Sequence, residues 1–222
     1  MNELLFLHEE VEQNGSQRGE PVWLSGDGFD TLSWIGGKLF MKLAIFLAVA
    51  LPMAAAEYTI DSTHSGASFS VRHMMVNTVR GQFSKVTGKI SYDAANLAAS
   101  KVEATIDVST IDTREAKRDS HLRSPDFFDV ARFPVMTFAS TKVWREGETV
   151  KVLGDLTMHG MTKPITFELS ELKTAGARIS ATATGKLSRR EFDLTWNKMI
   201  ETGGVVVGDE IGLTIEFEAA RK

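Results

Sequence analysis

The sequence predicts an all-β fold, an antiparallel β-barrel of about eight strands with one short helix. Beyond Glu57 the apolar residues recur with period two, the spacing that places alternate side chains on one face of a strand. A single charged stretch, 113–128, breaks that period. So many consecutive strands with short connections also expose an edge at each end, and closing the sheet removes both edges.

Taken in chain order, strands are expected at 66–74 and 79–92, and with 135–144, 149–158 and 165–173 they are less regular than 101–108, 177–187 and the last strand. In 101–108, Val102, Ala104, Ile106 and Val108 oppose Lys101, Glu103, Thr105 and Asp107 without a fault. Residues 113–128 (TREAKRDSHLRSPDFF) are rich in helix formers and meet Pro125, so they read as a short helix followed by a loop. Further strands are expected at 135–144, 149–158 and 165–173. In 177–187, Ile179, Ala181, Ala183, Gly185 and Leu187 oppose Arg178, Ser180, Thr182, Thr184 and Lys186. The last strand sets Ile211, Leu213, Ile215 and Phe217 against Gly212, Thr214, Glu216 and Glu218. Pro125, Pro134 and Pro164 stand at segment edges, where a missing amide donor does least harm.

The inward residues of the most regular strand are small. An eight-stranded barrel either fills its interior with side chains or holds one small ligand, and small residues leave room for the second. The phenylalanines of other strands could take up that room, so periodicity leaves both outcomes open.

Residues 41–56, MKLAIFLAVALPMAAA, have the order of a secretory signal peptide: a positive start, a nine-residue apolar block, a proline and small residues at the end. The block is too short to span a bilayer, which takes about 20 apolar residues. Export to the periplasm and a mature start near Glu57 are expected. Residues 1–40 are acidic and interrupted by glycine, and a signal peptide acts from the extreme N-terminus; they read as an over-extended start or a disordered segment. Residues 57–222 would form one domain.

Of the 25 Lys and Arg and 29 Asp and Glu residues, three cations (Arg18, Lys38, Lys42) and seven anions precede Glu57, so the domain is formally neutral. Neutrality argues against nucleic acid as a partner and against electrostatic docking on anionic lipid. Without a second apolar run of spanning length, stable membrane insertion is not expected. The chain has no cysteine, which excludes disulfides, iron–sulfur clusters and thiol chemistry.

No catalytic pattern emerges. His64, His73, His121 and His159 lack the spacing of a metal site. Asp61, His64 and Ser65 include triad residue types, but near neighbours in an extended segment cannot converge on one point. Gly203 and Gly204 near Gly208 mark a loop outside the strand-to-helix setting of a dinucleotide site.

Several segments, namely EYTIDSTHSGASFSVRHM at 57–74, RDSHLRSPDFFDVARFPVMTFAST at 118–141, VLGDLTMHGMTKPITFEL at 152–169 and VGDEIGLTIEFEA at 207–219, resemble the YceI-like family of lipid- and polyisoprenoid-binding proteins. The resemblance covers essentially all of 57–222 and has no counterpart for 1–40. It implies an extended, lipocalin-like barrel whose apolar interior takes a polyisoprenoid, isoprenoid quinone or fatty-acid-like chain, without cofactor, metal or catalysis. The cavity wall would then draw on Phe69, Val71, Phe83, Ala104, Ile106, Phe138, Leu156 and Phe167. It would continue through Ile179, Ala181, Ala183, Leu213, Ile215 and Phe217, with Phe127 and Phe128 from the loop. Candidates for the mouth or head group are His73, Arg118, His121, Arg123 and Arg132. A periplasmic carrier or sequestering role is the leading expectation. A filled-core, stress-linked structural barrel and an enzyme acting on an isoprenoid (with His73 or His121 as acid–base) are the alternatives. The lipid, and whether the protein is a monomer or homodimer, stay open.

Overall fold

The computed structural model describes residues 55–74, 76–197 and 206–221. The segment 1–40, the signal-like segment up to Ala54, and Gly203 and Gly204 lie outside the described residues. Eleven strand segments occur among those described: β1 (Ala56–Ile60), β2 (Gly66–His73), β3 (Asn77–Phe83), β4 (Val86–Tyr92), β5 (Lys101–Asp107), β6 (Ile111–Asp112), β7 (Val135–Glu146), β8 (Thr149–Met158), β9 (Met161–Ala175), β10 (Arg178–Ser188) and β11 (Val207–Arg221). One α-helix, α1 (Ala116–Arg123), lies between β6 and β7.

These segments occupy eight antiparallel strand positions, because β1 continues as β2, β3 as β4 and β5 as β6 across short breaks. The long β11 closes the ring. It pairs with β1 at its end (Thr59 opposite Ala220) and with β2 nearer its start (Phe69 opposite Leu213). Closure leaves β10 and β11 paired along eleven consecutive register positions, Arg178 to Ser188. The barrel is therefore closed and antiparallel, with one helix.

The breaks have local causes. In the first, Asp61 Oδ1 accepts the Thr63 amide at 2.9 Å while Oδ2 lies 2.8 Å from His64 Nδ1. Ser65 Oγ then exchanges hydrogen bonds with the Glu218 backbone across the sheet. The triad-type residues thus build a corner, with Ser65 turned to the neighbouring backbone. In the third break, Asp107 caps a 3-10 turn at Val108–Thr110 by accepting the Ser109 amide at 3.1 Å. The strand expected at 79–92 is accordingly two segments, broken at Ser84 and Lys85. The five-residue β1 and two-residue β6 are additional, each too short to display a period.

The helix is shorter than the stretch that suggested it. Glu115 caps its start by accepting the Lys117 and Arg118 amides, and Ser124 ends it where Pro125 disfavours helical backbone. The β8–β9 hairpin turns on His159 and Gly160, both left-handed (φ +52 and +76), the pair of positive angles a type I′ turn requires.

Inside the barrel, glycines on inward positions admit neighbouring rings. A Cβ at Gly154 would fall 2.4 Å from the Phe138 ring, and one at Gly185 would fall 2.9 Å from Phe167. The room at Gly185 thus belongs to a side chain of the barrel itself. Val86, Val108, Ile111, Ile179 and Phe192 are the most deeply buried large residues of the core.

Candidate functional site

Alternation sends one row of every strand inward, and the rows meet around a single continuous apolar cavity. The centre of a water-sized sphere has about 210 Å³ of it to occupy. Along β8 the wall includes Val150, Val152, Leu156 and Met158, a run that spans roughly 26 Å of strand. The cavity is therefore long. Its rings pack edge to face rather than filling the space: Phe138 and Phe167 lie 5.4 Å apart, Phe83 and Phe128 5.8 Å.

Of the wall residues expected from sequence, all line this cavity except Ala181. Ala181 is buried yet stands outside the lining, and Ala183, one pleat along, takes the wall position. Phe127 and Phe128 both reach the lining from the loop after α1, and they diverge. Phe128 turns to Phe83 of the barrel, whereas Phe127 packs on His121 at 5.0 Å and Trp196 at 5.1 Å. Residues 125–128 form a turn, and that turn splays the two rings.

None of the five mouth candidates belongs to the lining. Arg118 donates to Thr113, from Nε to the hydroxyl at 2.7 Å and from a terminal nitrogen to the carbonyl at 2.8 Å. Arg123 donates to the Ser109 and Ile111 carbonyls at 3.0 and 2.6 Å. Buried Asp119 receives the Thr113 amide and hydroxyl. These polar residues fasten α1 to the barrel, which a helix with only Leu122 in the cavity wall needs. His121 is held 2.8 Å from Asp126 and meets Phe127 and Trp196 edge to face. Arg132 is exposed, 3.4 Å from Asp129 and over the Phe133 ring. His73 is half-buried in β2, beyond the last lining residue of that strand, Val71.

The charged residue that does border the cavity is Arg189, only 3% exposed, in the 3-10 turn Arg189–Phe192 that follows β10. Its Nε donates to the Gly208 carbonyl at 3.0 Å. Its terminal nitrogens reach the carbonyls of Leu194, Trp196 (2.9 Å) and Val207 (3.4 Å), with Asp209 at 3.5 Å. Burial pulls its pKa down and Asp209 pulls it back up. All its donors point at the protein, so it presents the cavity with a satisfied fork. Sequence reasoning missed Arg189 because it stands in a polar Ser-Arg-Arg-Glu run that looks like an exposed turn. The remaining polar lining is sparse: Ser68, Tyr92, Ser100 and Thr137. Among the described residues, no three His, Asp or Glu side chains come together as a metal site would require.

Comparison with known proteins agrees with this geometry. A YceI-like domain model matches residues 58–219. A UPF0312 protein of Vibrio vulnificus is 38% identical over 68% of this chain and 85% of its own. Protein YceI of Salmonella newport is 37% identical over 71% and 86%. Among solved structures, BcnA of Burkholderia cenocepacia superposes with a TM-score of 0.65 at 23% identity, over 72% of this chain and 99% of that one. A polyisoprenoid binding domain from Saccharophagus degradans superposes with a TM-score of 0.58 at 16% identity, over 76% and 99%. At these identities the two structures speak to the fold alone.

Proposed function

The chain belongs to the YceI-like family, and on that footing we propose that it binds a long-chain apolar lipid inside its barrel, as a periplasmic carrier or sequestering protein. The observation that carries this reading is the long, almost wholly apolar cavity that persists although five phenylalanines already occupy the strands around it. Its shape suits a narrow hydrocarbon chain, and its wall offers few groups to hold anything polar. The polyisoprenoid named for the Saccharophagus domain is consistent with that shape.

The chemistry proposed is burial. Each Å² of apolar surface taken from water contributes roughly 25 cal/mol, and a molecule that is nearly all hydrocarbon has little free concentration in an aqueous compartment. A protein that encloses the tail lets it cross that compartment. The signal-like order of residues 41–56 is what supports the periplasm. The mechanism contains no bond-making step.

Native mass spectrometry of protein purified from its own cell envelope tests the proposal. A bound lipid with an isoprenoid or acyl chain is the expected result. Protein recovered empty from every envelope preparation would return the barrel to the filled-core, partner-binding reading, and a chemically altered product would favour an enzyme.

A further inference from the structure

Residues 62–92 form a run of 31 without one aspartate or glutamate, and they carry Arg72, Arg80, Lys85 and Lys89. The neutrality of the domain conceals this local imbalance. Lys85 is met by Asp107 at 3.3 Å, and Lys89 stands opposite Glu103. Arg72 and Arg80 have no ion pair or hydrogen bond with any described residue's side chain, and both are exposed on the hairpin of β2 and β3. Arg72 is opposite Thr78 and Arg80 opposite Ser70, so the two arginines are diagonal neighbours, roughly 7–8 Å apart. The two acids of β11 nearest the tip are committed elsewhere: Asp209 to Arg190 at 2.8 Å and Glu210 to Lys186 at 2.9 Å. Asp112 stands diagonal to Arg80 across β3 and β6 without forming an ion pair with it, so the two adjacent cations keep no ion-pair partner among the described residues and suit an anionic surface.

The same hairpin ends in apolar side chains that no described residue covers. Val76 is 73% exposed and Met74 45%. Met74 is left-handed (φ +51), and its amide donates to the Val206 carbonyl at 2.9 Å, which holds the tip against the start of β11. At the base of the hairpin, Val71 and Val207 both line the cavity. An exposed apolar tip, two unpaired arginines and the cavity wall thus belong to one short stretch of chain.

We propose that the β2–β3 tip is the surface through which the protein meets an anionic lipid bilayer. Met74 and Val76 enter the headgroup boundary while Arg72 and Arg80 face lipid phosphates. This purpose rests on the lipid-binding reading above, since contact at this point brings the cavity to the membrane that would supply or receive its lipid. The attachment is peripheral: two apolar side chains give a reversible foothold, and the cations bring selectivity for negative headgroups.

Protein purified from cells expressing the full chain is floated with vesicles of phosphatidylcholine alone or mixed with phosphatidylglycerol, and the same preparations are examined by native mass spectrometry. Co-flotation with the mixed vesicles, weakening at high salt, is expected. The double variant Arg72→Ser/Arg80→Ser should lower binding by about tenfold or more, and Met74→Asp/Val76→Asp should abolish it, each keeping its circular dichroism spectrum and its cavity lipid. Lipid retained together with lost vesicle binding supports the surface. No preference of the unmodified protein for anionic vesicles, or binding undiminished in both double variants, overturns it even when the cavity is occupied. A dimer in solution that the tip substitutions dissociate also overturns it, by showing that the tip meets a second copy. Vesicle binding by a protein whose cavity is always empty would instead count against the carrier reading and leave the surface standing.

Discussion

Arg189 and Ala183 border the same cavity for opposite reasons. Arg189 is a buried charge that gathers the carbonyls of Leu194, Trp196, Val207 and Gly208, so it ties the turn after β10 to the start of β11. Removing it takes a donor from each of those carbonyls, of which Val207's keeps Asn197 Nδ2 at 2.8 Å, and each buried group left unsatisfied costs about 1–3 kcal/mol. Arg189→Met is expected to lose more than about 3 kcal/mol in urea unfolding. Arg189→Lys should recover little of it, because an ammonium cannot reproduce the planar fork. A variant as stable as the parent would show that the fork is dispensable. Ala183 is a gap. It is 7% exposed, lies in the wall and faces Leu169 and Ile215 across the sheet. Ala183→Trp should fill the cavity and abolish lipid retention while the fold survives. Melting followed by circular dichroism, beside a lipid-extraction assay, checks this. A loss of about 1–3 kcal/mol or more with no lipid bound in either protein would mean the space is already filled.

The loop after α1 turns two adjacent phenylalanines to different tasks. Phe128→Ala removes a half-buried ring from the Phe83 contact in the cavity wall, so it should lose the less stability of the two and chiefly weaken lipid retention. Phe127→Ala instead removes the buried ring, 8% exposed and set against His121 and Trp196, and truncating a buried phenylalanine costs about 3–5 kcal/mol. Equal destabilisation with unchanged lipid occupancy in both variants would make the motif purely structural. The 3-10 turn between β5 and β6 carries a pH dependence of its own. The Ser109 hydroxyl, at 2.6 Å, and then Lys85 hold the Asp107 carboxyl below the usual carboxylate range. A carboxyl whose folded pKa is lowered adds stability that is present above its unfolded pKa, about 3.9, and lost as the pH falls through the lower folded value. Asp107→Asn should therefore lose stability at neutral pH and lose less than the parent on going below about pH 4. Denaturation midpoints across that range measure it, and parallel acid limbs would contradict it.

For the molecule as a whole, the occupant should count as part of the structure. A ligand that binds only the folded barrel adds RT ln(1 + [L]/Kd), about 2.7 kcal/mol when it stands at 100 times its dissociation constant. Protein stripped of lipid by organic extraction and refolded should melt at a lower temperature than protein taken from the envelope, and adding back the extract should restore the difference. Identical melting of the two forms, with mass spectrometry showing one full and one empty, would mean that the lipid makes no net stabilising contact. Neutral overall charge tells little about such a molecule. The acid-free stretch 62–92 and the acids of β11 offset each other in the total, yet Asp209 and Glu210 are paired with cations outside that stretch.

Period-two alternation needs no tertiary information, since a strand half buried against any core displays it; that is why 101–108, 149–158 and 177–187 were legible as strands, with Thr149–Met158 matching β8 to the residue. The same alternation assigned strand residues to the cavity wall, and nearly every one of them does line it, because the inward row of a closed barrel must face the lumen. Its limits were equally physical. Ala181 and Ala183 are indistinguishable by parity, and only the packing of neighbouring strands excludes one from the lining. Arg118, Arg123 and His121 looked like a charged mouth because sequence cannot show that their partners are the Thr113, Ser109 and Ile111 backbone and Asp126. Arg189 looked like a surface residue because the carbonyls that enclose it come from segments up to 19 positions away along the chain. Strand type and facing are local properties of the chain. Which polar groups are spent inside the protein, and which are left for a ligand, depends on long-range partners that fold into place only once the barrel closes.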